Sequence, residues 1–596
     1  MRRFVAPSLL SLLMSFVGGC YLFSDEPKAR KQPGSEVGED PSEEPTPTPE
    51  PPQPEGEVAD CPAFLTGTES KARTIAATCP PVRVRGQYRI DGGVLTLEAG
   101  VELRFEKDAV LEVGRDRPGA LTIAGTPERP VRLIADTESG WQGVRLHAQS
   151  TGSSVQHVEI AGAGSKDQAA FWIAAEQLTV EHVKVSNAPA LALEVVAERG
   201  PTLLGVTLAG TGTIARVSPS AAASLQELKL EPTAFVAISS GTIASTIEWP
   251  PNPYRIEGVI RIEGDVERPG GLTLAPGASL YFTPEARIIV GGFGPGSLSA
   301  SASAPNQAAP IHDVRGDDVH GLGGPIKLLA AQDSRAGAWS GIHVQDHGEL
   351  ILRNVELAHG GSRDEGVVIA EGTAKLTLEG CEFHDDLVGV ELRGHAVVIE
   401  GFTNNGFRAT PVAIRSTPAL LGGVGVDNRY DEQARIDVSR GKLESDATWA
   451  YQSAPILIHG DVFVDKGATL TVAPGLRLGF DPGVLLGVGY YEQATLDMRG
   501  TAEAPIVLEA IAEPWGGVVL GDHARNNKFE QVRLRQTGNA AGIELRDGAD
   551  ATLVNVDCAA CANATVKWDC ASKVGNIGIT ASEGTPTTLA APTQCK

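Results

Sequence analysis

From about residue 80 to residue 590, apolar positions alternate with polar ones in runs of four to six residues, broken by Gly, Asn or Asp. Alternation of this kind marks a strand with one buried face, and the breakers are those of tight turns. The runs recur at short intervals. LTVEHVKVS begins at Leu178 and PTLLGVTLA at Pro201, 23 residues on. LILRNVELA, LTLEGCEFH and AVVIEGFTN begin at Leu350, Leu376 and Ala396, and FEQVRLRQT and ATLVNVDCA at Phe529 and Ala551. Strands this short cannot bury an apolar face alone. Stacked turn on turn at a period of about 22 residues, they bury it against one another. Helical patterns of useful length are nearly absent. The pattern predicts an all-β solenoid of about 23 turns, on the order of 110 Å long at the ~4.8 Å spacing of neighbouring strands.

A longer repeat is superimposed. LTLEAGVELRF (95–105), LTLAPGASLYF (272–282) and LTVAPGLRLGF (470–480) are alike, and each precedes a Trp-x-Gly-Val/Ile segment at Trp141, Trp339 or Trp515. From Gly86 to Trp141 and from Gly460 to Trp515 the distance is 55 residues. Aligning Gly264 with these glycines gives 75 residues to Trp339 and places an insertion of 20 within 295–323. The same position in every copy argues for a shared structural task for the three Trp rather than ligand stacking. The lead-ins GTIASTIEW (241–249) and GKLESDATW (441–449) also correspond. Three copies are expected at 60–250, 251–450 and 451–596, as one stack or as three shorter ones. The pattern resembles the right-handed parallel β-helix shared by pectate lyases, polygalacturonases and many bacterial surface proteins. A β-sandwich array would need units of about 100 residues.

The amino terminus adds an address. Arg2 and Arg3 precede an apolar stretch too short to span a bilayer, as in a secretory signal. Val17-Gly18-Gly19-Cys20 resembles the lipobox of bacterial lipoproteins, which implies cleavage before Cys20 and its lipidation within a 1–20 signal. Tyr21 rather than Asp follows, which by the same resemblance points to the outer membrane or cell surface. Residues 21–59 form an acidic tether. Between 25 and 57 there are nine Pro, ten Asp or Glu and no aromatic residue, a composition that favours extended, disordered chain. The formal charge of the whole chain is −24, and −19 of it belongs to residues 58–596. That excludes a basic nucleic-acid binder, so no nucleic-acid partner is expected.

In an exported chain, pairing is the default for Cys61 and Cys79 at the amino-terminal cap and for Cys558, Cys561, Cys570 and Cys595 at the carboxy-terminal one. The last four also carry zinc-binding atoms, but an oxidising compartment and wide spacing favour disulfides. Cys381 reads as a buried small apolar side chain. No motif for nucleotide, metal or serine-hydrolase chemistry occurs, and no cofactor or metal is expected. Of the polygalacturonase signature only Gly316-Asp317-Asp318 and His320-Gly321 are present. Asp317, Asp318 and His320 are therefore the weak catalytic candidates, with His384-Asp385-Asp386 a polar turn. The reading is a non-catalytic, surface-anchored lipoprotein, joined to the membrane by its lipid, whose solenoid presents an acidic face to envelope polysaccharide, matrix or protein. The alternative is a polysaccharide lyase or glycoside hydrolase.

Overall fold

The computed structural model describes residues 61–303, 324–332, 334–538, 541–581 and 589–590. Cys20, the 21–59 tether, Asp317, Asp318, His320 and Cys595 lie outside the described residues. What is described is a parallel β-solenoid of about 20 turns. The turns are fewer than the 23 expected because loops lengthen several of them: 33 residues separate the register partners Glu112 and Arg145. Helix is confined among the described residues to three short 3-10 segments, Ala221–Ser224, Ser362–Asp364 and Leu421–Gly423. No helix among them is long and apolar enough to cross a membrane.

Period-two alternation sends every second side chain inward, and parallel register lines these side chains up. Ile75, Leu97, Ile123, Val155, Val180, Leu203 and Leu225 form one such column, each paired with the next. All are buried, at no more than 2% exposure. Each contributes roughly 1.5–3 kcal/mol of apolar burial, which only the turns above and below make available.

The three copies form one stack. Ala234–Ile238, at the end of copy 1, pairs in parallel with Pro253–Ile256, at the start of copy 2. Arg435–Val438 pairs in the same way with Ile456–Ile458 at the second junction. Both junctions join unlike positions. Ala234–Ile238 ends the ladder of second strands in copy 1, whereas Pro253–Ile256 begins the ladder of first strands in copy 2. Each copy is thus turned by one face about the common axis. The junctions are sealed alike: the Trp249 indole N–H donates to the Pro219 carbonyl at 2.9 Å, and that of Trp449 to the Pro418 carbonyl at 3.2 Å.

The register also corrects the repeat alignment. Val84, Ile256 and Ile458 pair with Phe105, Phe282 and Phe480, so the counterpart of Gly86 and Gly460 is Gly258 rather than Gly264. The middle copy therefore spans 81 residues from Gly258 to Trp339, an excess of 26. Most of the excess lies between Gly296–Ser301 and Ile326–Ala330.

Some of the acidity is structural. Asp91 Oδ1 accepts from the backbone N–H groups of Arg115, Asp116 and Arg117 in the next turn. Asp465 accepts from Tyr491 and Glu492, and Glu263 from Phe293, in the corresponding places of copies 3 and 2.

Candidate functional site

The second strand of each turn in copy 1 projects one side chain outward, and parallel register stacks these into a column. Arg89, Glu112, Arg145, Trp172, Glu194 and Arg216 follow one another in it. Through Ala237 the column crosses the junction to Arg255 of copy 2. Two adjoining cavities, of about 410 and 550 Å³, lie over it and share Asp167, Gln168 and Glu194. Together they make a groove along the solenoid. Its wall is the excursion at residues 164–169, pinned by Gly164 N–H donating to the Trp141 carbonyl at 2.8 Å.

The groove floor is held rigidly. Glu112 is nearly buried and accepts from Arg89 Nε at 2.9 Å and Arg115 Nη1 at 2.8 Å. Arg145, 8% exposed, donates to the carbonyls of Ala169 and Gln142 at 2.7 and 2.6 Å and to the Gln168 amide oxygen at 3.2 Å. It therefore ties the wall to the floor, and burial holds its pKa below the usual arginine range. His147 lies 3.6 Å from Glu112 and 5.2 Å, ring to ring, from Trp172. Burial pushes its pKa down, against the pull of Glu112. Trp172 is half-buried between Arg145 and Glu194. At the far end Glu257 sits 3.7 Å from both Arg216 and Arg255.

The groove thus combines an indole face with fixed donors and acceptors of both signs. That combination suits a ligand with an apolar face and a hydroxylated or charged rim. It is a mixed surface rather than the acidic one expected: Arg89, Arg115, Arg145, Lys166, Arg216 and Arg255 face Glu112, Asp167, Glu194 and Glu257. No linear motif marks the groove in the sequence, because the column residues are separated by 23, 33, 27, 22 and 22 positions. The available signal was the outward position of each Val/Leu/Ile-rich run.

The repeated Trp are structural. Trp141, Trp339 and Trp515 are buried and stack on Phe105, Phe282 and Phe480 with centroids 3.6, 4.0 and 4.2 Å apart. Their indole N–H groups donate to the carbonyls of Ala161, Ala358 and Arg535. The His384-Asp385-Asp386 segment is more than a solvated turn. His384 bonds Glu356 at 3.1 Å and Asp385 at 2.9 Å. Burial alone would depress its pKa, but these two carboxylates raise it. Asp386 is wholly buried, and its Oδ1 accepts from Gly360 N–H at 2.7 Å. Cys61 is disulfide-bonded to Cys79, and Cys558 and Cys561 lie with their sulfurs side by side. Cys381 is a buried free thiol whose pKa burial pushes up to about 12. Among the described residues no group of His, Cys, Asp and Glu is placed to hold a metal ion. Comparison with protein-family models, curated proteins and solved structures gives no match to this chain, so its site is read from its own residues.

Proposed function

We propose that the chain is an exported, lipid-anchored, non-catalytic protein whose solenoid presents the copy 1 groove to an envelope polysaccharide. The observation that carries this reading is Trp172, half-buried in a column of fixed charges where an extended saccharide can lie along the turns. The two carboxylates of the column itself stand too far apart to act as a glycosidase pair. Glu112 and Glu194 are three register steps apart, or ~14 Å at ~4.8 Å per step. Paired glycosidase carboxylates stand about 5–9.5 Å apart. The address rests on Arg2, Arg3 and the Val17–Cys20 string, and partners are envelope polysaccharide and the membrane through the lipid.

Two results are expected. Trp172→Ala lowers affinity for the bound envelope glycan about tenfold, read by calorimetry after a glycan array identifies it, while the melting temperature changes little because the ring is half-exposed. Equal affinity, or no binding to any envelope glycan, contradicts the reading. Cys20→Ser releases the chain from the membrane fraction. Continued partition with membranes contradicts the lipid anchor.

A further inference from the structure

A separate cavity lies where copy 2 meets copy 3, and the internal repeat supplies its own control. It has a volume of about 370 Å³ and is lined in part by His395, Thr417, Arg440, Lys442 and Glu444. Arg440 and Lys442 flank Gly441, the first residue of Gly441–Leu443. Both side chains are exposed. Lys442 Nζ lies 4.6 Å from the centroid of the Tyr491 ring, an arrangement that orients an ammonium group without neutralising it. Glu444, the one acid in the lining, is engaged by Lys466 at 2.6 Å.

The first junction has the same backbone arrangement. Gly241–Ile243 occupies the place of Gly441–Leu443, Pro219 that of Pro418, and Trp249 that of Trp449. There the residues corresponding to His395, Arg440, Lys442 and Glu444 are Glu198, Ser240, Thr242 and Ala244. The junction therefore closes without any of these cations. In a chain of net charge −24, two exposed cations that line one pocket and that the first junction does without mark a place for a negative group.

We propose that this pocket binds an anionic group, a sulfate, phosphate or carboxylate, with Arg440 and Lys442 as its ligands and Ser445, which also lines it, as a hydroxyl donor; that the group is borne on a saccharide rests on the function proposed above. Arg440 supplies a planar fork to two oxygens, and Lys442 a point charge held over Tyr491. The site stands apart from the copy 1 groove and does not depend on Trp172.

The test is calorimetric titration of the folded chain with glucose 6-sulfate, glucose 6-phosphate and glucuronate, at low and at physiological salt. The proposal predicts that at least one binds and that its affinity falls with added salt. Arg440→Ser/Lys442→Thr, which copies the first junction, reduces that affinity at least tenfold with an unchanged melting temperature. The reciprocal Glu198→His/Ser240→Arg/Thr242→Lys creates a second equivalent of binding. The strongest of the three sugars identifies the anion. Binding by none of them, or equal affinity in the wild type and the double variant, overturns the proposal. Trp172→Ala serves as the separating control: loss of anion binding there would place the site in the copy 1 groove instead and overturn it as well.

Discussion

Replacing Trp339 by Ala is expected to cost about 3–5 kcal/mol, the range for removing a large aromatic side chain from a core. The indole is fully buried, lies flat on Phe282 at 4.0 Å, and donates to the Ala358 carbonyl at 2.9 Å. Its loss leaves a cavity between adjacent turns and a carbonyl without its donor, and neither is repaired by collapse because the turns are hydrogen-bonded on both sides. Trp339→Phe keeps the stacking and loses only the indole hydrogen bond and part of the volume, so it should cost less than half as much. Urea unfolding followed by circular dichroism reads the difference. A cost below about 1 kcal/mol for Trp339→Ala would show that the ring is not part of the packed interior. Trp141 and Trp515 occupy the same environment and should behave alike.

Asp386→Asn is expected to stabilise the protein at neutral pH, by an amount that grows as pH rises above the unfolded carboxyl value. Burial pushes the Asp386 carboxyl well above the ordinary range, against the Gly360 N–H that accompanies it. Oδ2 is buried without a hydrogen-bond partner. A folded-state pKa above the unfolded one means that the folded chain holds the proton while the unfolded chain gives it up. The contribution of Asp386 is therefore most favourable below pH ~4, the unfolded value. It declines as pH rises from there towards the folded pKa. Asn cannot ionise and still offers an oxygen to Gly360. The variant and the wild type should converge in stability near pH 3 and diverge as pH rises, seen in denaturant midpoints across that range. Parallel pH profiles for the two proteins would contradict the assignment.

Much of the fold is legible in the sequence because its determinants are local. Alternation in LTVEHVKVS places Val180, Val183 and Val185 inward, and all three are buried. The recurring Phe and Trp positions, 105 with 141 and 480 with 515, meet as stacked pairs. What the sequence hides is relational. Tyr254-Arg255-Ile256-Glu257-Gly258 and Ile260-Arg261-Ile262-Glu263-Gly264 are near copies six residues apart. Pattern alone cannot say which matches Gly86, and only register does. The one-face turn at each junction follows from which strands pair, and no run of residues encodes it. The groove escapes for a similar reason. Trp172 and Arg145 become neighbours through parallel pairing after a 164–169 excursion of arbitrary length, whereas a linear motif requires fixed spacing.

One unbroken stack of turns passes through the copy junctions. Glu248 and Thr273 are exposed register partners on opposite sides of the first one, and Ser299 is the next partner in that column. Adjacent parallel strands stand ~4.8 Å apart, within the Cα range of a disulfide, whereas two turns apart exceeds the ~7 Å limit. Oxidation of the Glu248→Cys/Thr273→Cys variant should give a cross-link in high yield, and the Glu248→Cys/Ser299→Cys variant none. Failure of the first pair to cross-link, or equal yields from both, would contradict a continuous solenoid.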